Sequence, residues 1–288
     1  MRSWPPSGPS SSPNQVPDPV LTELAVLVGR REAGWIYEHA VAQGAVDVPE
    51  RARDLARRRA EGEPLQYVLG TWPFRTLELE VGPEALIPRP ETEQVVDVAL
   101  ERWREQRPGE GNVVIVDLGT GSGAIGLSLA RELEGETPVE LYLTDRSRQA
   151  LRLARRNAEL LGIGARFFEG SWFEALDPGL AGRINLVVSN PPYVPAELAG
   201  SLDPLLAHEP SEALYAPSGT EGTPGFLDVE TVLRGAPAWL APGGIVVLEM
   251  GEDQVEQATA LASELGLTDV AAFCDLADKP RGVVASAP

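Results

Sequence analysis

The 288-residue chain holds a single cysteine, Cys274, and only two histidines, His39 and His208, far apart in sequence. One thiol cannot close an internal disulfide, and so thin a supply of ligands excludes zinc fingers and Cys/His metal cages. Basic residues are outnumbered, with 24 Lys and Arg against 43 Asp and Glu and a formal net charge of -19. A chain of that sign repels a phosphate backbone, and no run of Lys and Arg marks a basic groove, so direct nucleic-acid binding is not expected. No stretch approaches the roughly 18 consecutive apolar residues of a bilayer span, and the N-terminus lacks the apolar core of a signal peptide. The expectation is a cytoplasmic protein, a monomer with no membrane association.

What is present is ordinary globular material, 43% hydrophobic and 23% charged, in a length that suits one large domain and a small one. Residues 1–19 carry six prolines and five serines with almost nothing to bury, which reads as a disordered tail. Residues 20–70 repeat apolar side chains at helical spacing, first Leu21, Leu24, Ala25, Leu27 and Val28, then Ala33, Ile36, Tyr37, Ala40 and Val41. Three or so helices follow from that pattern. In residues 71–93 the alternation of Leu77, Leu79 and Val81 with Thr76, Glu78 and Glu80 predicts a β-hairpin linker. The helix after Pro90 opens on Glu91 and Glu93, where the helix dipole favours acids.

Residues 94–288 form the main domain. From Val113 short apolar runs alternate with helical stretches, at 113–116, 139–143, 165–168, 184–188, 244–248, 268–273 and 283–285. Seven such runs predict an α/β fold with a mostly parallel sheet covered on both faces. Ligands in such sheets sit beyond the carboxyl ends of the strands, and several of those ends carry chemistry.

The first end runs into Gly119, Thr120, Gly121, Ser122 and Gly123, a loop that lets backbone N–H groups approach a ligand closely. Asp145 ends the second run, nineteen residues after Gly126, where a carboxylate can accept both hydroxyls of a ribose. Glycine loop and acid together indicate a nucleoside cofactor without naming it. Trp172 follows the third run and offers a flat face to a base. The arginines at 148, 152, 155 and 156 read as the solvated face of a helix.

The fourth end is Asn190, Pro191, Pro192 and Tyr193. Delocalised amide or exocyclic amino nitrogens are poor nucleophiles, so an enzyme that methylates them must orient the nitrogen toward a sulfonium methyl. The Asn190 side-chain oxygen and the Pro191 carbonyl can accept from the two N–H bonds of one NH2 group. The prolines fix the backbone and contribute no competing N–H, and Tyr193 can pack against the planar group. No metal or general base is required, since methylation acidifies the nitrogen.

These motifs resemble those of S-adenosylmethionine-dependent amino-methyltransferases, and most closely the peptide chain release factor glutamine methyltransferases. The resemblance covers about residues 20–287 and rests on "GEPLQYVLG" at 62–70, Phe74, "LIPRPETE" at 86–93, "DLGTGSGAIGLSLA" at 117–130, Asp145, Trp172 and "NPPY" at 190–193. It extends through "EPSEAL" at 209–214, "LEMG" at 248–251, Gln254 and "DLADKPRGVVA" at 275–285. It implies a seven-stranded Rossmann-like methyltransferase sheet joined by the hairpin to a small helical substrate-recognition domain. The implied reaction is methylation of the side-chain amide nitrogen of the glutamine in the Gly-Gly-Gln loop of release factors. Gly119 to Gly123 would hold the methionine part of the donor, Asp145 the ribose and Trp172 the adenine, with Asn190 at the junction of donor and acceptor. Asn190, Pro191, Pro192 and Tyr193 would hold the glutamine. The tetrapeptide is shared with adenine-N6 methyltransferases of nucleic acids, the alternative reading. Ser171 stands where relatives often carry an acid, and Arg89 can pair with Glu91 or Glu93 as readily as with substrate.

Overall fold

The structure, a computed structural model, describes residues 19–106, 111–199, 204–220 and 222–288. The tail expected at 1–19 lies outside the described residues except for Pro19.

Helices α1 (Pro19–Val28), α2 (Arg30–Ala42), α3 (Val48–Ala60) and α4 (Leu65–Leu69) open the chain. Asp47 caps α3 by accepting from Glu50 N at 2.9 Å, and Pro49 sits in the first turn, where its missing N–H costs nothing. The helices share one small core in which Leu24, Ile36, Ala40, Leu55 and Val68 are buried, with Trp72 packed at its edge. Trp72 lies on β1 (Thr71–Phe74), which pairs antiparallel with β2 (Leu77–Glu80). Phe74, Leu77 and Leu79 of this hairpin join a second core, on one face of the sheet. The hairpin therefore buries side chains against both units.

After a single 3-10 turn at Pro90–Thr92, α5 (Glu93–Gln106) leads into β3 (Val113–Leu118), α6 (Ala124–Glu132), β4 (Val139–Asp145), α7 (Arg148–Leu161), β5 (Arg166–Glu169) and β6 (Ile184–Ser189). Two short strands, β7 (Val194–Pro195) and β8 (Tyr215–Ala216), pair with each other. The chain closes with α8 (Leu227–Trp239), β9 (Leu240–Glu249), α9 (Val255–Glu264), β10 (Thr268–Cys274) and β11 (Pro280–Ser286).

All seven apolar runs form strands of one sheet, in the order β10-β11-β9-β6-β3-β4-β5. Within the parallel set β3 pairs with β4 and β6, β4 with β5 and β6 with β9, and β11 runs antiparallel to both its neighbours. Side chains alternate between two cores: Val114, Val116 and Leu118 face one, Val113 and Ile115 the other. Fully buried aliphatic side chains of this kind contribute about 1.5–3 kcal/mol each, so the central strands carry much of the sheet's stabilisation. The strand order reverses between β3 and β6: the chain builds β4 and β5 on one side before crossing to the other. Their adjacent carboxyl ends make the crevice where such sheets bind ligands.

Candidate active site

A cleft of about 1030 Å³, counted to its open mouth, lies over those strand ends. Gly119, Thr120, Gly121, Ser122, Asp145, Trp172, Asn190 and Pro192 all line it. Gly123, Pro191 and Tyr193 do not. Gly123 is buried at the start of α6, Pro191 is buried behind its neighbours, and Tyr193 packs against the core beneath.

The glycine loop is shaped by its contacts. Gly119 has φ +69°, and a Cβ there would stand 3.3 Å from Trp172 Cζ3, so only glycine leaves the indole in place. At Gly126 a Cβ would fall 2.6 Å from Leu143 Cδ2 and 3.0 Å from Asp117 Cβ, so glycine lets α6 rest directly on the sheet. Asp117, buried at the end of β3, accepts from Thr120 Oγ1 at 2.7 Å and from Gly126 N at 3.0 Å. Its second oxygen has no partner among the described residues, and burial pushes the carboxyl up to about 6.

Asp145 is tied down by the backbone: Oδ2 accepts from Gly121 N at 3.0 Å and Oδ1 from Ser147 N at 2.9 Å. Each oxygen keeps a second lone pair for a diol. Burial raises its pKa, opposed by the two N–H donors. Trp172 holds an unusual left-handed backbone, φ +47°. Asp228, in the first turn of α8, stands beside the indole, which favours its ionised form, and also lines the cleft. Ser171 is exposed, so Asp228 rather than residue 171 supplies the acid beside the indole.

Opposite the glycine loop, Ser189 Oγ donates to Leu118 O at 2.6 Å and ties the end of β6 to the end of β3. The next residue is Asn190. Its Nδ2 donates to Thr92 Oγ1 at 3.1 Å, and no bond to Oδ1 exists among the described residues. Tyr193 O accepts from Gln254 Nε2 at 3.1 Å, and its phenol donates to Glu249 Oε1 at 3.4 Å. Glu249 is 2% exposed at the end of β9, and burial pushes its carboxyl up to about 7. Burial first and the neighbouring Glu249 second push the Tyr193 phenol far above its ordinary value.

Residues 84–89 and Thr92 border the cleft beside the glycine loop. Arg89 pairs with Glu209, which also accepts from Ile87 N at 2.9 Å. Neither Glu91 nor Glu93, which the sequence offered as partners as readily as substrate, pairs with it among the described residues. The Glu209 side chain is 2% exposed and requires a compensating charge. Glu91 is exposed, and Glu93 Oε1 accepts from Arg75 N at 2.9 Å. The arginines of α7 are exposed as expected, and Arg156 reaches Glu80 at 2.9 Å and Glu84 at 3.2 Å.

Sequence reasoning singled out neither Thr92, Glu249, Asp117 nor Asp228. An acid inside an apolar strand, as in "VVLEM", was the available signal for Glu249: a buried charge needs a reason.

Residues 97–202 match the family model of the methyltransferase small domain. A release factor glutamine methyltransferase of Burkholderia pseudomallei is 39% identical over 86% of this chain and 86% of its own. The protein of the same name from Bordetella pertussis is 39% identical over 90% of each chain, and that from Geobacter sulfurreducens 35% over 91% of this chain and 90% of its own. A glycine loop, a diol-accepting acid and a flat indole around one cleft fit a nucleoside donor of methyl groups, and S-adenosylmethionine is the cofactor that methyltransferases of this fold use. Matched along nearly its whole length, the chain belongs to the release factor glutamine methyltransferase family.

Proposed function

We propose that the protein transfers a methyl group from S-adenosylmethionine to the side-chain amide nitrogen of the glutamine in the Gly-Gly-Gln loop of peptide chain release factors. The observation that carries the reading is the orientation of Asn190. With Nδ2 bound to Thr92, the amide leaves Oδ1 as the atom to meet an incoming NH2 group at the cleft.

The donor supplies an electrophilic methyl on a positively charged sulfur. Asp145 would bind the ribose, Trp172 with Asp228 the adenine, and the loop from Gly119 to Gly123 the methionine end, although its Thr120, Gly121 and Gly123 N–H groups are already bonded to Thr144 O, Asp145 Oδ2 and Thr120 O. On the acceptor side, Asn190 Oδ1 would take one N–H bond of the glutamine amide, and the Pro191 carbonyl would take the other once substrate opens the turn, since Pro191 itself does not line the cleft. Pro192 would shape the wall, and Tyr193 would support the tetrapeptide from beneath. Acceptance of both protons turns the nitrogen lone pair toward the methyl carbon and strengthens as those protons become acidic in the transition state. On bound donor, the N–C bond to the amide nitrogen would form as the S–CH3 bond breaks, the neutral thioether would be the leaving group, and one N–H proton would pass to water.

In this reading residues 20–70 recognise the release factor, 71–93 link, and 94–288 carry the chemistry. The protein acts as a monomer in the cytoplasm, where release factors work. Among the described residues no helix is long and apolar enough to cross a membrane.

Incubation with isotopically labelled S-adenosylmethionine and a purified release factor, followed by mass mapping, should place the label on the glutamine of the Gly-Gly-Gln peptide. Label on added nucleic acid and none on the release factor would overturn the assignment.

A further inference from the structure

Pro191 and Pro192 have no N–H to tie the middle of the Asn-Pro-Pro-Tyr turn to its surroundings, so the turn depends on what holds its two ends. Its entry is anchored by Ser189, whose hydroxyl donates to Leu118 O at 2.6 Å. Its exit is anchored by a side chain that does not line the cleft. Gln254, in the 3-10 turn between β9 and α9, is 1% exposed, and its Nε2 donates to Tyr193 O at 3.1 Å and to Pro224 O at 2.8 Å. Its Oε1 accepts from Gly251 N at 3.1 Å. One amide thus joins the exit of the tetrapeptide, the turn that leads into α8 and the chain just past β9.

We infer that Gln254 is a positioning residue for methyl transfer: by holding the Tyr193 carbonyl it sets where the Asn190 amide and the Pro191 carbonyl stand relative to the donor methyl. This rests on the reading of Asn190 as the acceptor of the substrate NH2.

The Gln254 amide has one way to sit. Gly251 N can only donate and the two carbonyls can only accept, so the oxygen must face the first and the NH2 the others. All three partners are backbone groups, which have no side-chain rotamer to change if the amide is lost. The Tyr193 phenol is a weaker tether for the same residue, since its bond to Glu249 Oε1 is 3.4 Å long, where an O–H···O bond is ordinarily about 2.5–3.0 Å. From the other side Gly225, with φ +67°, packs so closely that a Cβ there would stand 2.2 Å from Tyr193 O. Gln254 and Gly225 therefore meet at one carbonyl.

A shift of that carbonyl travels up the turn. Each proline has a fixed φ, and a residue that precedes a proline is itself confined to extended backbone. Asn190 and Pro191 both precede a proline, so few soft dihedrals lie between Tyr193 and the Asn190 side chain to absorb a displacement. The shift arrives at the group assigned to the acceptor nitrogen, while the donor side, at the glycine loop and Asp145, stands on other strands.

The test is single-turnover methylation of a purified release factor, with donor affinity from calorimetric titration and stability from the unfolding midpoint. Gln254→Met keeps the length of the side chain and loses all three bonds. Gln254→Glu keeps its shape and can donate to at most one of the two carbonyls. In both variants the rate at saturating S-adenosylmethionine and saturating release factor should fall about tenfold or more, as expected when a reacting group is misplaced by a fraction of an ångström. Donor affinity and the half-saturating concentration of release factor should stay near their wild-type values, because the loss is confined to the transition state.

A variant with a lowered unfolding midpoint and the wild-type rate would show that Gln254 only stabilises the fold. A loss of rate matched by an equal loss of donor affinity would show a general loosening of the cleft. Either result, in Gln254→Met or, where that variant does not fold, in Gln254→Glu, overturns the inference. Asn190→Ala separates the two levels. If it abolishes turnover while Gln254→Met keeps the wild-type rate, only the role of Gln254 falls. If it retains turnover, the assignment of Asn190 falls as well.

Discussion

Asn157 and Glu80 hold each other through two hydrogen bonds: Glu80 N donates to Asn157 Oδ1 at 2.7 Å, and Asn157 Nδ2 donates to Glu80 O at 3.1 Å. The same Nδ2 donates to Ser122 O at 2.9 Å, so one buried amide on α7 joins the hairpin to the glycine loop. Asn157→Ala leaves three backbone groups without a side-chain partner. Unfolding free energy should fall by about 2–4 kcal/mol, as expected when buried polar groups lose their bonds. Donor affinity should weaken too, since Ser122 loses its anchor. Denaturant titration and donor titration check the two effects, and a variant unchanged in both would refute the link.

Asp145→Asn should act on the donor alone. An amide has one acceptor oxygen where the carboxylate has two, so the bonds from Gly121 N and Ser147 N and those from a diol cannot all be kept. Loss of one charge-assisted bond costs about 1.5–3 kcal/mol, which corresponds to roughly a ten- to hundredfold weaker donor affinity. Calorimetric titration reads this directly, with the unfolding midpoint as a control.

Gly225 tests the tetrapeptide from behind. Its φ is +67°, and a Cβ there would stand 2.2 Å from Tyr193 O, so Gly225→Ala must displace the exit of the Asn-Pro-Pro-Tyr turn. Turnover should fall more than tenfold with donor affinity little changed, because the donor side lies at the glycine loop; a misplacement near 1 Å is worth about a hundredfold in rate.

Arg89 and Glu209 should show strong coupling. Arg89→Met strands a carboxylate that is 2% exposed and should destabilise by about 3–5 kcal/mol. Adding Glu209→Gln should recover part of that loss. A double-mutant cycle with no interaction energy would show the pair to be incidental.

Ionisation of Glu249 should carry a stability cost with a defined sign. Its folded pKa, about 7, is raised from 4.5, so its stabilising contribution is complete below pH 4.5 and is lost as pH rises through 7. Glu249→Gln should match the wild type at pH 4.5 or below and exceed it at pH 8 by up to about 3 kcal/mol, the worth of a shift of this size. Denaturation curves at the two pH values decide it. An advantage at low pH, or none at pH 8, would contradict the burial argument.

How far the sequence carried depended on how local each signal was. The strand cores were legible because fully buried parallel strands are continuous apolar runs. Their ends were not: β9 begins at Leu240, although "APGG" reads as a turn. The loop from Gly119 and the acid at 145 were legible because backbone geometry and strand position demand those residue types. Residues 81–89 form neither helix nor strand, and they are held by bonds without periodicity, such as Tyr67 Oη to Ala85 O at 3.4 Å and Ile87 N to Glu209. Thr92 and Glu249 were missed for the same reason. They lie 98 and 59 residues from Asn190 in the numbering, and only the fold brings them together.

The tetrapeptide has a second neighbour whose chemistry mirrors the one proposed for the substrate. Gln254 is 1% exposed, and its NH2 group is shared between two backbone carbonyls, Tyr193 O at 3.1 Å and Pro224 O at 2.8 Å, while its oxygen accepts from Gly251 N at 3.1 Å. The protein thus stores, one layer below its cleft, a glutamine amide gripped by acceptors on both protons. Burial keeps that internal amide out of the cleft, whose lining does not include Gln254. What separates modified from unmodified glutamine is therefore access to the methyl donor as much as hydrogen bonding: two acceptors grip an amide, and only an open face lets it react.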